Sequence, residues 1–183
     1  MANVEASELQ QVRESADLVF SAHQIAVAIE NMATDLEQKI KNQNAIMLCV
    51  MNGGLITTSD IMRGLQCDVR LDYLQVARYR DKTVGGSLHW HKEPQLSLEG
   101  QVVVLVDDIY DEGYTLEEVV SYCKRKGAKQ VITVVLLFKQ KEGRKVSMQP
   151  DIFGLEVSDR YVFGYGMDYK GYLRNLPAIY AVK

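Results

Sequence analysis

The residues whose types and spacing most clearly suggest chemistry are three aspartates in one short segment, Asp107, Asp108 and Asp111. An unbroken apolar run at residues 102–106 precedes them and predicts a strand that is buried on both faces, as in a parallel sheet. A helical pattern begins shortly afterwards, at Thr115. Because ligands of open parallel sheets lie at the carboxyl ends of the strands, we expect these carboxylates to point into a binding site.

The turn between the aspartates and the helix, Glu112-Gly113-Tyr114, offers free backbone amides at a helix N-terminus. Such amides hold phosphate groups, whereas the neighbouring carboxylates repel them. The combination suits a ligand with a phosphate, hydroxyl donors and a bridging divalent cation, and a ribose phosphate with magnesium has all three. The sequence contains neither the P-loop pattern nor the glycine pattern of a dinucleotide-binding fold.

Two segments of the chain resemble a known family. Residues 107–115 resemble the phosphoribosyl-pyrophosphate signature of type I phosphoribosyltransferases, with an acidic pair, a further aspartate and a turn that contains glycine and threonine. Residues 159–169 are similar to the purine-binding segment of the hypoxanthine-guanine phosphoribosyltransferases. Lys139 follows an apolar strand, where that family has its base-reading lysine. The resemblance extends from about residue 46 to about residue 180.

The order of the predicted elements indicates the fold class. Strands alternate with helical patterns along the 183 residues, which predicts a single α/β domain with a mainly parallel sheet. The resemblance implies flanking helices, a core at about residues 45–140, and a small hood formed by about residues 1–20 and 150–183. Before the core, residues 6–20 predict one short amphipathic helix, and Ser21 is the expected N-cap of a longer one.

The resemblance also implies how phosphoribosyl pyrophosphate binds. The amides of the turn would hold the 5′-phosphate, and the aspartate pair would accept hydrogen bonds from the ribose hydroxyls, directly or through magnesium. An arginine and a glycine-containing loop would contact the pyrophosphate. The residues implied are Asn52, Gly53, Asp107, Asp108, Asp111, Glu112, Gly113, Tyr114, Thr115 and Arg174. Asp111 is in addition the implied catalytic base, near N7 of the purine.

For the purine, the resemblance implies that Lys139 reads the 6-oxo group, that Tyr161 stacks on the base and that Val162 reads its edge through the main chain. An ammonium group can only donate, so it favours an oxo group over the amino group of adenine. Asp168, with the aspartate pair, would hold Mg²⁺. The alternatives are a solvated strand end for Lys139, a core aromatic for Tyr161, a surface charge for Arg174 and a turn residue for Asp168.

A long loop or hairpin at residues 78–91 is the implied lid, in which Arg78 and Tyr79 would contact the ligand. His89 and His91 would share one side of a strand there, an arrangement that permits metal binding, although no other ligand type clusters with them.

Three positions depart from the family pattern. The acidic pair begins with Asp107 where the family usually has glutamate, Asn52 stands where the pyrophosphate loop often has lysine, and Arg78 stands where the lid commonly has serine. The shorter carboxylate of Asp107 keeps the chemistry of the pair, but Asn52 removes a charge from the loop. Arg78 in place of serine changes which contacts the lid can make.

The function implied is magnesium-dependent transfer of the 5-phosphoribosyl group from phosphoribosyl pyrophosphate to hypoxanthine or guanine, giving IMP or GMP and pyrophosphate. The alternative is a non-catalytic regulator of the same fold that senses phosphoribosyl pyrophosphate or nucleotide. A signalling receiver domain also has paired acids after a strand, but there the pair lies near the amino terminus and a later strand ends in aspartate rather than Lys139.

Composition limits the class of partner. A formal net charge of −3 argues against a nucleic-acid partner bound by bulk electrostatics. No signal-peptide pattern opens the sequence and no apolar run reaches the length of a membrane span, so we expect a cytoplasmic protein without a membrane partner. The expected partners are small-molecule substrates, phosphoribosyl pyrophosphate and 6-oxopurines, and further copies of the chain in a homodimer or homotetramer.

Overall fold

The structure is a computed structural model that describes residues 4–78 and 88–183, with the backbone alone at residues 78 and 88. The helices are α1 Ala6–Ser15, α2 Ala22–Ile40, α3 Leu55–Gly64 and α4 Tyr114–Arg125. The strands are β1 Asp17–Phe20, β2 Ala45–Met51, β3 Val69–Arg78, β4 Leu88–Lys92, β5 Val102–Tyr110, β6 Gln130–Lys139, β7 Ile152–Val157, β8 Val162–Phe163 and β9 Ile179–Ala181.

The larger sheet has the strand order β4-β3-β2-β5-β6-β7, and every neighbouring pair is parallel except β3 and β4. This confirms the predicted α/β class with a mainly parallel sheet. Strands β2 and β5 lie at its centre, with Cys49 opposite Val106 in the register. Because β2, β5 and β6 run in the same direction, the segments that follow them meet at one edge of the sheet.

The side chains of β5 alternate between two apolar layers, as expected of a strand buried on both faces. Val104 and Val106 pack with α2 and α3 on one face. Val103 and Leu105 pack with α4 on the other. Packing on both faces fixes the position of the strand, and therefore the position of the residues at its carboxyl end.

Helix α2 begins as predicted. The hydroxyl oxygen of Ser21 accepts a hydrogen bond from the amide of Gln24 at 3.3 Å, and the side chain of Gln24 accepts one from the amide of Ser21 at 3.0 Å. This reciprocal capping box satisfies two amides that the first turn leaves without helical partners.

The smaller sheet has the order β1-β9-β8, with both pairs antiparallel. The prediction of one helix over residues 6–20 is therefore wrong after Ser15, because residues 17–20 form strand β1. Pairing with β9, which places Asp17 opposite Ala181, supplies hydrogen bonds that local sequence cannot reveal. Arg160 adds an ion pair to Asp17 at 2.6 Å between the nitrogen and the oxygen.

Strand β7 lies at the edge of the larger sheet, parallel to β6, although residues from about 150 onward were expected in the hood. The hairpin of β3 and β4 ends where Arg78 lies opposite Leu88, and residues 79–87 lie outside the described residues. Of the helices in the described part of the chain, none combines the length and the apolar character that crossing a membrane requires.

Candidate active site

The acidic end of β5 opens into a cavity of about 310 Å³ that is lined by residues 107–116 and by Val135 of β6. Strand β5 continues through the aspartate pair to Tyr110, and helix α4 begins directly after Gly113. Gly113 is the N-cap of α4 and has a φ of +86°, in the left-handed region that favours glycine. A Cβ atom at this position would lie 2.4 Å from the hydroxyl oxygen of Tyr110, so the turn is closed against that buried ring.

We expect Gly113→Ala to destabilise the fold by about 2–5 kcal/mol, because a left-handed side chain costs about 1–2 kcal/mol and overpacking a further 1–3 kcal/mol. Gly100→Ala is the matched control, since Gly100 has a φ of +69° but no described atom lies within 4 Å of its added Cβ. Urea unfolding of both variants gives the two free energies. Equal losses of unfolding free energy in the two variants would show that Tyr110 does not constrain the turn.

The two carboxyl groups of the aspartate pair are adjacent and partly buried. Burial raises the pKa of Asp107, and the neighbouring charge of Asp108 raises it further. Burial likewise raises the pKa of Asp108, although a hydrogen bond with Asp107 and the positive charge of Arg174 act in the opposite direction. Two adjacent carboxylates that resist ionisation together are stabilised by a bound cation.

The loop after β2 lies against this pair. A Cβ at Gly53 would lie 1.8 Å from Oδ2 of Asp108, and a Cβ at Gly166 would lie 2.3 Å from the carbonyl oxygen of Gly53. The backbone at Gly53 is therefore packed between the acidic end of β5 and the loop that follows β8. The neighbouring Asn52 is exposed, and the peptide bond between Met51 and Asn52 is cis.

Lys139, the last residue of β6, is only 7% exposed and is not a solvated strand end. Its ammonium group donates a hydrogen bond to Oδ2 of Asp111 at 2.9 Å and lies 3.6 Å from Oδ1 of Asp159. Burial raises the pKa of Asp111, but the hydrogen bonds and charges of Lys139 and Lys141 outweigh burial and hold this pKa below its usual value. Asp111 is therefore ionised at neutral pH.

The connector after β6, residues 140–149, folds back over the turn. The guanidinium group of Arg144 donates to the carbonyl oxygen of Asp111 at 2.8 Å and to that of Lys139, and it lies over the ring of Tyr110 at 4.7 Å. Lys141 forms an ion pair with Glu112 and lies 3.4 Å from Oδ1 of Asp111. Cations from the connector thus contact the acidic side chains of residues 111–115, the segment that leads from β5 into α4 and is called the phosphate turn.

Asp168 and Arg174 form an ion pair in the loop between β8 and β9. A guanidinium nitrogen of Arg174 lies 2.7 Å from Oδ1 of Asp168, and the other donates to the carbonyl oxygen of Gly166 at 2.6 Å. Oδ2 of Asp168 accepts a hydrogen bond from the amide of Gly171 at 2.6 Å. Arg174 is therefore held beside the loop of Gly53 rather than projecting as a free surface charge.

The donor set fits a magnesium ion that is shared with a phosphate ligand. Residues 4–78 and 88–183 contain no group of three or more His, Cys, Asp or Glu side chains arranged to hold a metal by themselves. Mg²⁺ in phosphate-binding sites is commonly held by one or two carboxylates, with substrate and water as the other ligands. Asp107 and Asp108 are two such carboxylates, whereas the carboxylate of Asp168 is engaged in the ion pair with Arg174.

Tyr161 and Val162 lie where β8 begins. Tyr161 is 52% exposed, so it is not a core aromatic, and its hydroxyl group donates to the carbonyl oxygen of Asp168 at 3.1 Å. Val162 is buried and pairs with Ala181 of β9. Asp159, two residues before Tyr161, contacts Lys139, which brings this segment to the carboxyl end of β6.

The structure brings most of the predicted site residues to the carboxyl ends of the parallel strands. They extend from Asn52 after β2, through the turn after β5, to Lys139 at the end of β6. The side chain of Arg78 and all of Tyr79 lie outside the described residues. Lys141 and Arg144 are not among the predicted site residues. In the sequence, only the basic composition of residues 140–149 distinguishes these two residues, and composition does not indicate which groups their charges contact.

Three comparisons give relatives of this arrangement. A family profile described as "Phosphoribosyl transferase domain" matches residues 15–170. A hypoxanthine-guanine phosphoribosyltransferase of Aquifex aeolicus is 33% identical, over 91% of this chain and 94% of the relative. One of Bacillus subtilis is 30% identical, over 91% of this chain and 92% of the relative. A crystal structure of a hypoxanthine-guanine phosphoribosyltransferase from Bacillus anthracis has a TM-score of 0.83 at 26% identity and covers 91% of this chain and 98% of its own.

Proposed function

The chain belongs to the phosphoribosyltransferase family, in its hypoxanthine-guanine branch, and from that premise we propose that it salvages 6-oxopurines. The reaction transfers the 5-phosphoribosyl group of phosphoribosyl pyrophosphate to hypoxanthine or guanine. It yields IMP or GMP and releases pyrophosphate.

The observation that carries this proposal is the pair of Lys139 and Asp111 beside the phosphate turn. Their ammonium and carboxylate groups lie 2.9 Å apart, so one donor and one acceptor stand side by side at the carboxyl end of the sheet. A 6-oxopurine presents the complementary pair on one edge, with O6 as acceptor and a protonated N7 as donor. Adenine presents an amino group in place of O6 and would set donor against donor.

The phosphate turn, the aspartate pair and Asp111 have different roles in the proposed reaction. The amides at the start of α4 hold the 5′-phosphate, and the carboxylates of Asp107 and Asp108 accept hydrogen bonds from the ribose hydroxyls. Ionised Asp111 accepts the proton that leaves N7 while N9, which carries no proton in this tautomer, bonds to C1 of the ribose. The carbon–oxygen bond to pyrophosphate breaks, and nearby carboxylates favour the positive charge that develops on the sugar.

Further features of the site complete the proposal. The backbone at Asn52 and Gly53, together with Arg174, contacts the departing pyrophosphate, and Tyr161 and Val162 bind the base. Arg78 and Tyr79 belong to a lid. Asp107, Asp108 and Asp168 would hold Mg²⁺, which would supply charge neutralisation to the leaving group when bound.

We expect turnover to require a divalent cation, with magnesium sufficient, because a bound cation would neutralise the charge of the departing pyrophosphate. Asp168→Asn should raise the magnesium concentration needed for half-maximal pyrophosphate release from phosphoribosyl pyrophosphate and hypoxanthine. Glu156→Gln is the control, because Glu156 is an exposed acid of β7 whose partner is Gln140. Undiminished pyrophosphate release after exhaustive chelation would contradict the metal requirement.

We also propose a domain organisation, a cellular compartment and an oligomeric state. Residues 1–183 act as one catalytic domain, with the hood sheet of β1, β8 and β9 covering the base. The three cysteines are unpaired, which supports a reducing compartment, the cytoplasm. A homodimer or homotetramer is supported by the exposed apolar side chains of Leu71 and Tyr73 on one side of β3.

A further inference from the structure

The phosphate turn contains an acid that opposes its own ligand. Glu112 lies in the lining of the 310 Å³ cavity, directly before Gly113, and Glu117 adds a second carboxylate in the first turn of α4. A negative side chain in a turn whose amides bind phosphate lowers the affinity for that phosphate through charge repulsion. A functional turn of this sequence therefore needs a compensating cation.

The structure assigns that compensation to Lys141, and we propose that it neutralises Glu112 so that the turn can accept a 5′-phosphate. The ammonium group of Lys141 forms its shortest ion pair with Glu112, and it also lies 3.4 Å from Asp111 and 3.9 Å from Asp159. In the described part of the chain, Lys141 is the cation paired with Glu112. The inference rests on the proposed function, which supplies the phosphate-bearing ligand.

The position of Lys141 is fixed by its neighbours on the connector. Arg144 binds the carbonyl oxygens of Asp111 and Lys139 and lies over the rings of Tyr110 and Phe138, so the connector is anchored on both sides of the turn. The side chain of Lys141 is 26% exposed and that of Glu112 is 40% exposed, so the pair is partly accessible to solvent.

Lys141 is therefore a positioning residue that acts on the phosphate through Glu112. Its loss leaves an uncompensated carboxylate in the turn, and the expected consequence is weaker binding of the sugar phosphate rather than slower chemistry. The signature that a merely structural lysine would lack is rescue, because removal of Glu112 as well should abolish the need for the cation.

The experiment measures binding of phosphoribosyl pyrophosphate with Mg²⁺ by calorimetry, and KM and kcat with hypoxanthine. Lys141→Gln should weaken binding and raise KM by roughly tenfold, with kcat changed far less, as expected for a charged interaction lost from the ground state and the transition state alike. Glu112→Gln alone should tighten binding, because it removes the carboxylate that repels the phosphate and keeps the backbone amide of residue 112. The double variant E112Q/K141Q should recover most of the lost affinity, whereas a persistent tenfold loss would overturn the proposal.

Controls separate this inference from the function on which it rests. Lys145→Gln removes an exposed connector lysine that makes no ion pair with the described residues, and it should bind as the unaltered protein does. If the unaltered protein fails to bind phosphoribosyl pyrophosphate, the proposed function fails. If it binds and Lys141→Gln binds equally well, only the role of Lys141 fails. Should Lys141→Gln not fold, the double variant still decides between neutralisation and direct contact.

Discussion

Replacement of Asp111 by asparagine is expected to reduce turnover by roughly 10²–10⁴-fold, the usual contribution of a positioned acid–base group. Asparagine keeps the size of the side chain but cannot accept the proton from N7. The backbone amides of the turn and the contact from Arg144 to the carbonyl oxygen of residue 111 do not involve the carboxylate. Binding of phosphoribosyl pyrophosphate should therefore change little.

Single-turnover kinetics and calorimetry together test this expectation. Glu156→Gln again serves as the control for loss of a carboxylate near the end of the sheet. Turnover of Asp111→Asn close to that of the unaltered protein would remove Asp111 from the chemistry. A large loss of binding with unchanged turnover would assign Asp111 to the ligand rather than to proton transfer.

The second large effect concerns the choice of purine. A charge-assisted hydrogen bond from Lys139 to O6 contributes about 1.5–3 kcal/mol, and an unpaired buried donor costs about 1–3 kcal/mol. We therefore expect adenine to be disfavoured against hypoxanthine by at least roughly 10²-fold in kcat/KM. Lys139→Gln should weaken the use of hypoxanthine and guanine and narrow the gap to adenine, since an amide can also accept.

Measured kcat/KM values for the three purines in both proteins decide this point. An unchanged preference in Lys139→Gln would mean that main-chain groups near Val162 read the base instead. The pH profile gives an independent signal, because Lys139 lowers the pKa of Asp111 against the opposing effect of burial. Without Lys139 this pKa rises, so the acid limb of kcat/KM should move to higher pH.

The sequence was sufficient to predict those parts of the fold whose signals are local. The apolar run of β5 and the N-cap at Ser21 depend on neighbouring residues, and both were predicted near their observed positions. Strand β1 was missed because its apolar residues continue the helical pattern of α1, while its hydrogen-bond partner, β9, lies at the other end of the chain.

The same division applies to the candidate site. Apolar runs predicted a strand before Asp107 and another before Lys139, and the family resemblance implied the roles of Asp107, Asp111 and Lys139. The contacts of Lys141 and Arg144 depend on how an irregular connector folds back onto a turn about 30 residues earlier, and no spacing rule encodes that path. The ion pair of Asp168 with Arg174 is likewise a product of tertiary packing, since both residues lie in a loop without regular structure.

The most direct measurement is product identification by mass spectrometry after the chain is mixed with phosphoribosyl pyrophosphate, Mg²⁺ and one purine at a time. We predict IMP from hypoxanthine and GMP from guanine, each with one equivalent of pyrophosphate, and AMP formation at least roughly 10²-fold slower. Binding of phosphoribosyl pyrophosphate without formation of a nucleotide from any of the three purines would contradict this prediction and indicate a non-catalytic regulator.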